Sequence, residues 1–208
     1  MVFGNNTIFI NKKRSILWNV FCLLQLMRKL LLLLISFVSM TTAYAQKEIN
    51  WMSMNDALAA QAQNPKHIFI DMYTSWCGPC KLLDRNTFTN KEVIHYLNTH
   101  YYAVKFNAEG IEPVSYMSQS FGNPTYNPAN SNRRNPQHQF AKHLGVSAYP
   151  TLAFLNMKGQ LLTNVKGYQA PQQLEMYLKL FATEAYLNFK SQDDFSTYIA
   201  NFKPVFVE

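Results

Sequence analysis

Ile68-Phe69-Ile70, continued by Met72 and Tyr73, is an apolar run interrupted only by Asp71, and it reads as a buried strand over 67–73. Ser53 with Asp56 three residues on is a capping-box pattern; it leads a helix through Ala57 to Gln63 that stops near Asn64-Pro65. Ile49-Asn50-Trp51 fits a short first strand. Pro79 suits the first turn of a helix, where a missing N–H costs nothing, and residues 81–88 can continue it. Asn90 stands as N-cap of a helix carrying Val93, Ile94 and Leu97, followed by a strand over 101–107. Two strands, 151–155 and 160–166, flank a tight turn at Asn156-Met157-Lys158-Gly159. Pro171 opens an amphipathic helix with Leu174, Tyr177, Leu178 and Phe181 on one side. Helix, strand, helix, strand, hairpin, helix is the order of an α/β sandwich with a central mixed sheet.

Two segments lie outside that plan. Residues 109–139 hold five Asn, four Pro and the pair Arg133-Arg134, and read as a long exposed loop insertion, either a tolerated surface segment or a partner contact. Residues 186–208 read as a C-terminal helical extension, with a second capping box at Ser191 and Asp194 before Phe195, Tyr198, Ile199 and Phe202.

The chemistry gathers at Trp76-Cys77-Gly78-Pro79-Cys80-Lys81. Cysteines separated by two residues can close a small ring and reopen it, which is the unit of thiol–disulfide exchange. The pair follows a strand and opens a helix, so Cys77 meets free backbone N–H groups and the positive end of the helix dipole, which favour its thiolate. The bland readings are a structural disulfide and half of a zinc site. So short a ring removes little chain entropy. Zinc needs two further ligands at matching spacing; the third cysteine, Cys22, lies in the N-terminal leader, and none of the five histidines makes a paired motif. Redox chemistry is the expectation, with no metal and no cofactor.

Asp71, the Trp76–Lys81 motif and Ala148-Tyr149-Pro150-Thr151 together resemble the thioredoxin fold. The stretch from Asp71-Met72-Tyr73 through Asp84, Thr87-Phe88-Thr89-Asn90 and Val93 is similar, more narrowly, to the C-terminal periplasmic domain of DsbD-type thiol:disulfide interchange reductases and related exported proteins, over about residues 47–182. The resemblance implies a thioredoxin-like three-layer sandwich over 46–185. Cys77 would be the accessible attacking thiol, and Cys80, one turn in and more buried, the resolving one. Asp71 would be a buried acid that moves protons for Cys80, with Lys105 as its partner; an exposed strand-end acid and a solvated lysine are the alternatives. Asp84 would be a second acid or an ordinary surface residue. Pro150 would be cis beside the cysteines, and Gly167 would let a partner approach or simply serve a turn. Trp76, Gly78, Pro79 and Tyr149 would meet substrate. Tyr149 departs from the Ile of many bacterial thioredoxins and resembles protein disulfide isomerases. Gly78-Pro79 matches thioredoxins and so implies a reducing pair; the span from thioredoxin at about −270 mV to DsbA at about −120 mV is roughly 7 kcal/mol of preference.

Residues 1–45 read as a leader. Arg28-Lys29, an apolar core over 30–38 and Ala43-Tyr44-Ala45 before Gln46 form a cleavable signal peptide, with Met27 as the expected true start and an uncleaved membrane anchor as the alternative. The formal charge of +7 is largely a leader effect: five of the 19 basic residues precede Gln46 and none of the 12 acidic ones do. The remainder, 14 basic against 12 acidic, argues against nucleic acid. It keeps only Cys77 and Cys80, so it cannot mispair internally.

These readings converge on an exported, monomeric protein-disulfide reductase in the periplasm of a Gram-negative bacterium. It would act on disulfide-containing envelope proteins and draw electrons from a membrane donor of the DsbD type. The competing readings are a Cu(I)-binding metallochaperone using the two thiolates with Met72 and Met117, and a chaperone whose cysteines are vestigial.

Overall fold

The computed structural model describes residues 23–31 and 48–207. The chain divides into two compact units, Met1–Ala45 and Gln46–Glu208. In the first, residues 23–31 are helical; the rest of the expected signal peptide, including its cleavage motif, and Cys22 lie outside the described residues. Among the described residues no helix is long and apolar enough to cross a membrane.

The second unit is built on a five-stranded sheet. Its strands are β1 (Trp51–Met52), β2 (His67–Tyr73), β3 (Tyr101–Asn107), β6 (Thr151–Leu155) and β7 (Leu161–Lys166), in the order β1-β3-β2-β6-β7. β1, β3 and β2 run parallel, β6 is antiparallel to β2, and β7 is antiparallel to β6. A separate hairpin pairs β4 (Val114–Tyr116) with β5 (Gln119–Phe121). The helices are α1 (Met54–Gln63), α2 (Gly78–Leu82), α3 (Lys91–His100), α4 (Gln139–His143), α5 (Pro171–Ala182) and α6 (Gln192–Asn201).

Capping explains where the helices start. Ser53 Oγ accepts from Asp56 N–H, Asn90 Oδ1 from Glu92 and Val93 N–H, and Ser191 Oγ from Asp194 N–H. These contacts satisfy donors that a first turn leaves without partners. The active-site helix departs from the regular helix expected over 81–88: Leu83–Thr87 form a π-helical turn closed by Phe88 N–H on Leu83 O at 3.0 Å.

Alternation along β2 sorts the core into two layers. Phe69 packs on one face with Leu83, Val93, Leu97, Phe154 and Leu178. Ile68, Ile70 and Met72 pack on the other with Met54, Val104, Phe106 and Phe140. Asp71 shares the face of Phe69, toward the helix that carries Cys80. Each fully buried side chain of this kind stabilises the fold by about 1.5–3 kcal/mol.

Segment 109–139 is not the exposed loop that its composition suggested. Val114, Tyr116 and Phe121 are buried in the second core layer, and the Tyr116 hydroxyl donates to Gly159 O at 2.8 Å. Val114 and Tyr116 of β4 and Phe121 of β5 face inward, while Met117 and Ser118 make the turn with left-handed backbone at φ 48° and 62°. Past a short 3-10 turn, Pro128–Asn130, the fully buried His138 caps α4 by accepting Phe140 N–H at Nδ1.

The C-terminal extension forms the helix expected of it, and its tail does more. Phe206 is buried in the first core layer, and the N–H groups of Val205 and Phe206 both donate to Glu175 Oε2 at 2.8 Å. Glu175 is fully buried within α5, and its other oxygen meets Lys179 Nζ at 2.5 Å. Asn90 Nδ2 holds Val207 O.

Candidate active site

The end of β2 turns through Thr74-Ser75-Trp76 into Cys77, the N-cap of α2. Cys77 and Cys80 are joined as a disulfide with Cα atoms 5.3 Å apart. Cys77 Sγ accepts Cys80 N–H at 3.1 Å. In the reduced protein the same donor stabilises a thiolate on Cys77, and Pro79 leaves no competing N–H in that turn. The expected difference in exposure is not present: both cysteines are 2% exposed in this oxidised state. The distinction between them is positional. Cys77 caps the helix; Cys80 lies within it. At Gly78 nothing stands within 4 Å of where a Cβ would be, so the approach to the pair is open there.

Asp71 is 1% exposed, and the register of β2 against β3 sets it directly beside Lys105. Lys105 Nζ donates to Asp71 Oδ2 at 2.9 Å and also bonds Asp84 Oδ1, linking the sheet to the active-site helix. Asp71 Oδ1 is buried without a partner. Burial pushes the Asp71 carboxyl up to about 6; the Lys105 ammonium opposes the shift and the Asp84 carboxylate adds to it. For Lys105 burial works downward, but the two carboxylates prevail and hold the ammonium above its usual value. The rings of Trp51, Tyr73 and Phe88 stand 5.1–5.3 Å from Nζ and complete a cage around it. Asp71 is therefore the buried acid, Lys105 its partner rather than a solvated residue, and Asp84 a member of the same cluster.

The Tyr149–Pro150 peptide is cis. Thr151 pairs with Met72, which sets Pro150 at the strand end that leads to the cysteines, and Gly167 N–H donates to Pro150 O at 2.8 Å. Gly167 needs its φ of +86°, and a Cβ there would meet nothing within 4 Å. Trp76 and Tyr149 meet edge to face with ring centroids 6.0 Å apart. Met72 points into the second core layer, on the sheet face away from Asp71, and Met117 sits at the tip of the β4–β5 hairpin. Neither is placed as a further sulfur ligand for the cysteine pair.

The insertion brings three residues to this rim, of which only Arg134, through its pairing with Arg133, was marked in the sequence. Glu109, buried, accepts Trp76 Nε1–H at 2.7 Å and Asn135 N–H at 2.9 Å on the same oxygen. The Arg134 guanidinium lies 4.5 Å from the Trp76 ring centroid. Gln137 Nε2 bonds Val146 O and reaches the Tyr149 hydroxyl. The paired arginines were the available signal, but the links of Glu109 and Arg134 to Trp76 span dozens of residues.

The thioredoxin-like domain model matches residues 54–182, and the chain belongs to that family, as a thiol:disulfide oxidoreductase with its vicinal pair at Cys77 and Cys80. It is 24% identical over 129 residues to the thiol:disulfide interchange protein DsbD of Pectobacterium atrosepticum, covering 61% of this chain and 18% of that protein. The chain thus spans about a fifth of that relative's length. Among solved structures it is similar to a thioredoxin-fold protein from Helicobacter pylori, with TM-score 0.53, 16% identity, and 76% of this chain and 91% of that one covered. It is also similar to a DsbH oxidoreductase, with TM-score 0.42, 17% identity, and 77% and 90% covered.

Proposed function

We propose that this protein is exported to the periplasm of a Gram-negative bacterium, where it reduces disulfides of envelope proteins and is itself re-reduced by a membrane donor of the DsbD type. The observation that carries the reductase reading is the Cys77–Cys80 pair at a helix start, with Cys80 N–H directed at Cys77 Sγ and a buried acid on the sheet face below. The Cys77 thiolate attacks one sulfur of a substrate disulfide, forming a mixed disulfide and releasing the other sulfur as a thiolate. Cys80 then gives up its proton, with Asp71 as the acceptor, and attacks Cys77 Sγ. The second substrate thiolate leaves. Two electrons have passed to the substrate, and the protein is left in the disulfide state described above.

The sign of the reaction rests on Gly78-Pro79. Equilibration in glutathione or dithiothreitol buffers of graded potential, read by alkylation of Cys77 and Cys80, should place the pair nearer thioredoxin's about −270 mV than DsbA's about −120 mV. A value near the oxidising end would make the protein an oxidase. Export rests on the leader. Protein recovered from a periplasmic fraction should begin at Gln46, and an intact leader there would exclude cleavage.

A further inference from the structure

The part of the insertion that follows the β4–β5 hairpin is tied over the redox site by polar contacts. Ser75 Oγ donates to Ser131 O at 2.8 Å, and Glu109 holds both the Trp76 indole and the Asn135 backbone. Asn135 in turn accepts Asn127 N–H and donates to Asn130 O, and Asn123 Nδ2 donates to Pro136 O. Between this strap and Val146–Tyr149 runs a groove of about 640 Å³, with Trp76, Glu109, Arg134 and Gln137 along its sides. Its lining includes both the residue before Cys77 and the residue before the cis proline, whose rings meet edge to face.

The charges in the groove are unequal in availability. Glu109 is buried, with one oxygen engaged by two donors. Arg134 is exposed, with its guanidinium 4.5 Å from the Trp76 ring centroid, and among the described residues the ion pairs are those of Lys105 and Lys179, none of them to Arg134. Contact with the Trp76 ring holds the guanidinium at the groove, and its planar fork of N–H donors can take a carboxylate through two parallel hydrogen bonds.

We infer that Arg134 forms a carboxylate-binding subsite beside the redox pair, selecting polypeptide disulfides that carry an Asp, a Glu or a chain-terminal carboxylate next to the reactive cysteine. The inference rests on the reductase reading above and names the substrate class for that same site. Because the strap is already held by its own contacts, binding does not have to order it.

The test uses the full chain and disulfide-linked peptides that differ only in the residue flanking one cysteine: Glu, Gln or Lys. At low ionic strength kcat/KM for the Glu peptide should exceed that for Gln about fivefold, and Lys by more, with the difference in KM. The preference should shrink as salt is raised. In Arg134→Gln the Glu-to-Gln ratio should fall to within twofold, while Arg134→Lys, which keeps the charge and loses the fork, should restore part of it. Equal rates on the three peptides, or an undiminished preference in Arg134→Gln, would overturn the subsite and leave the reductase reading standing. Failure to reduce any of the peptides would overturn the reductase reading and the subsite with it.

Discussion

Replacing Asp71 with Asn separates the cost of the buried acid from its use. The carboxyl titrates at about 6 in the folded protein against 3.8 as its ordinary value, with burial the largest cause. Above pH 6 the folded chain holds a charge that the unfolded chain holds more comfortably. About two pH units at 1.36 kcal/mol each make that roughly 3 kcal/mol of destabilisation. The sign follows from proton counting. Between pH 4 and 6 the folded state binds more protons at this site than the unfolded one, so stability falls as pH rises through that window and levels off above it. Asparagine removes the dependence. The pairing with Lys105 is already inside that figure, because a value of about 6 is what remains after the ammonium has opposed the shift, and Lys105 keeps Asp84 in the variant. The expectation is a gain of up to about 3 kcal/mol at pH 7.5, a rise in melting temperature of up to roughly 6–12 °C for a domain of this size. Thermal melts of both proteins in the disulfide state, at pH 4.5 and pH 7.5, test this. The gap should be widest at pH 7.5 and shrink on acidification. A variant less stable than the parent at pH 7.5, or a gap that ignores pH, would refute the reasoning and show that the ion pair with Lys105 outweighs the burial of the carboxylate. In the same variant, resolution by Cys80 should slow more than first attack by Cys77, since an amide cannot accept the proton; rapid acid quenching of the mixed disulfide separates the two steps.

The other expectations concern the rest of the site and its supports. Cys80→Ser should accumulate mixed disulfides that non-reducing gels reveal and Cys77→Ser should not; equal trapping would overturn the assigned roles. Phe121→Ala should cost about 3 kcal/mol in chemical denaturation, because the ring is buried in the second core layer; a loss below 1 kcal/mol would show that the hairpin contributes little. Deleting 118–136, which an exposed loop would tolerate, should destabilise more than that, by removing Phe121 and the Asn135 anchor together. Glu175→Ala should cost about 3 kcal/mol by leaving Lys179 and two tail N–H groups without their acceptor. Hydrogen exchange should then accelerate at Val205 and Phe206, and unchanged protection would refute the clamp.

What the sequence disclosed, and what it hid, follows from the range of each interaction. β2 and β3 were legible because five or more residues in a row obey one pattern, and the helix starts because a cap is decided within three positions. Asp71 stood out as the lone acid in an apolar strand. Its pairing with Lys105 came only from resemblance, because it depends on a strand register joining positions 34 apart. Segment 109–139 misled for a related reason: strands of three residues present too few alternations to rise above a composition rich in Asn and Pro. The equal burial of Cys77 and Cys80 was hidden because position along a helix says nothing of what the neighbouring loops cover. Phe206 and Glu175 escaped because a single residue docking from the tail leaves no periodic trace.

The aromatic surroundings of the site have an optical consequence. Residues 48–207 hold two tryptophans, and each stands at a different part of the chemistry. Trp76 adjoins the disulfide, with Arg134 against its face and its indole N–H on Glu109. Trp51 meets the edge of Phe88 at 5.0 Å and lies 5.1 Å from the Lys105 ammonium that faces Asp71. A disulfide quenches a neighbouring indole, so emission from Trp76 follows the oxidation state. Trp51 senses instead the electric field of the Asp71–Lys105–Asp84 cluster. In a chain begun at Gln46, which lacks Trp18, replacing either one with Phe leaves an intrinsic fluorescence that follows electron transfer or proton transfer alone, with no label attached.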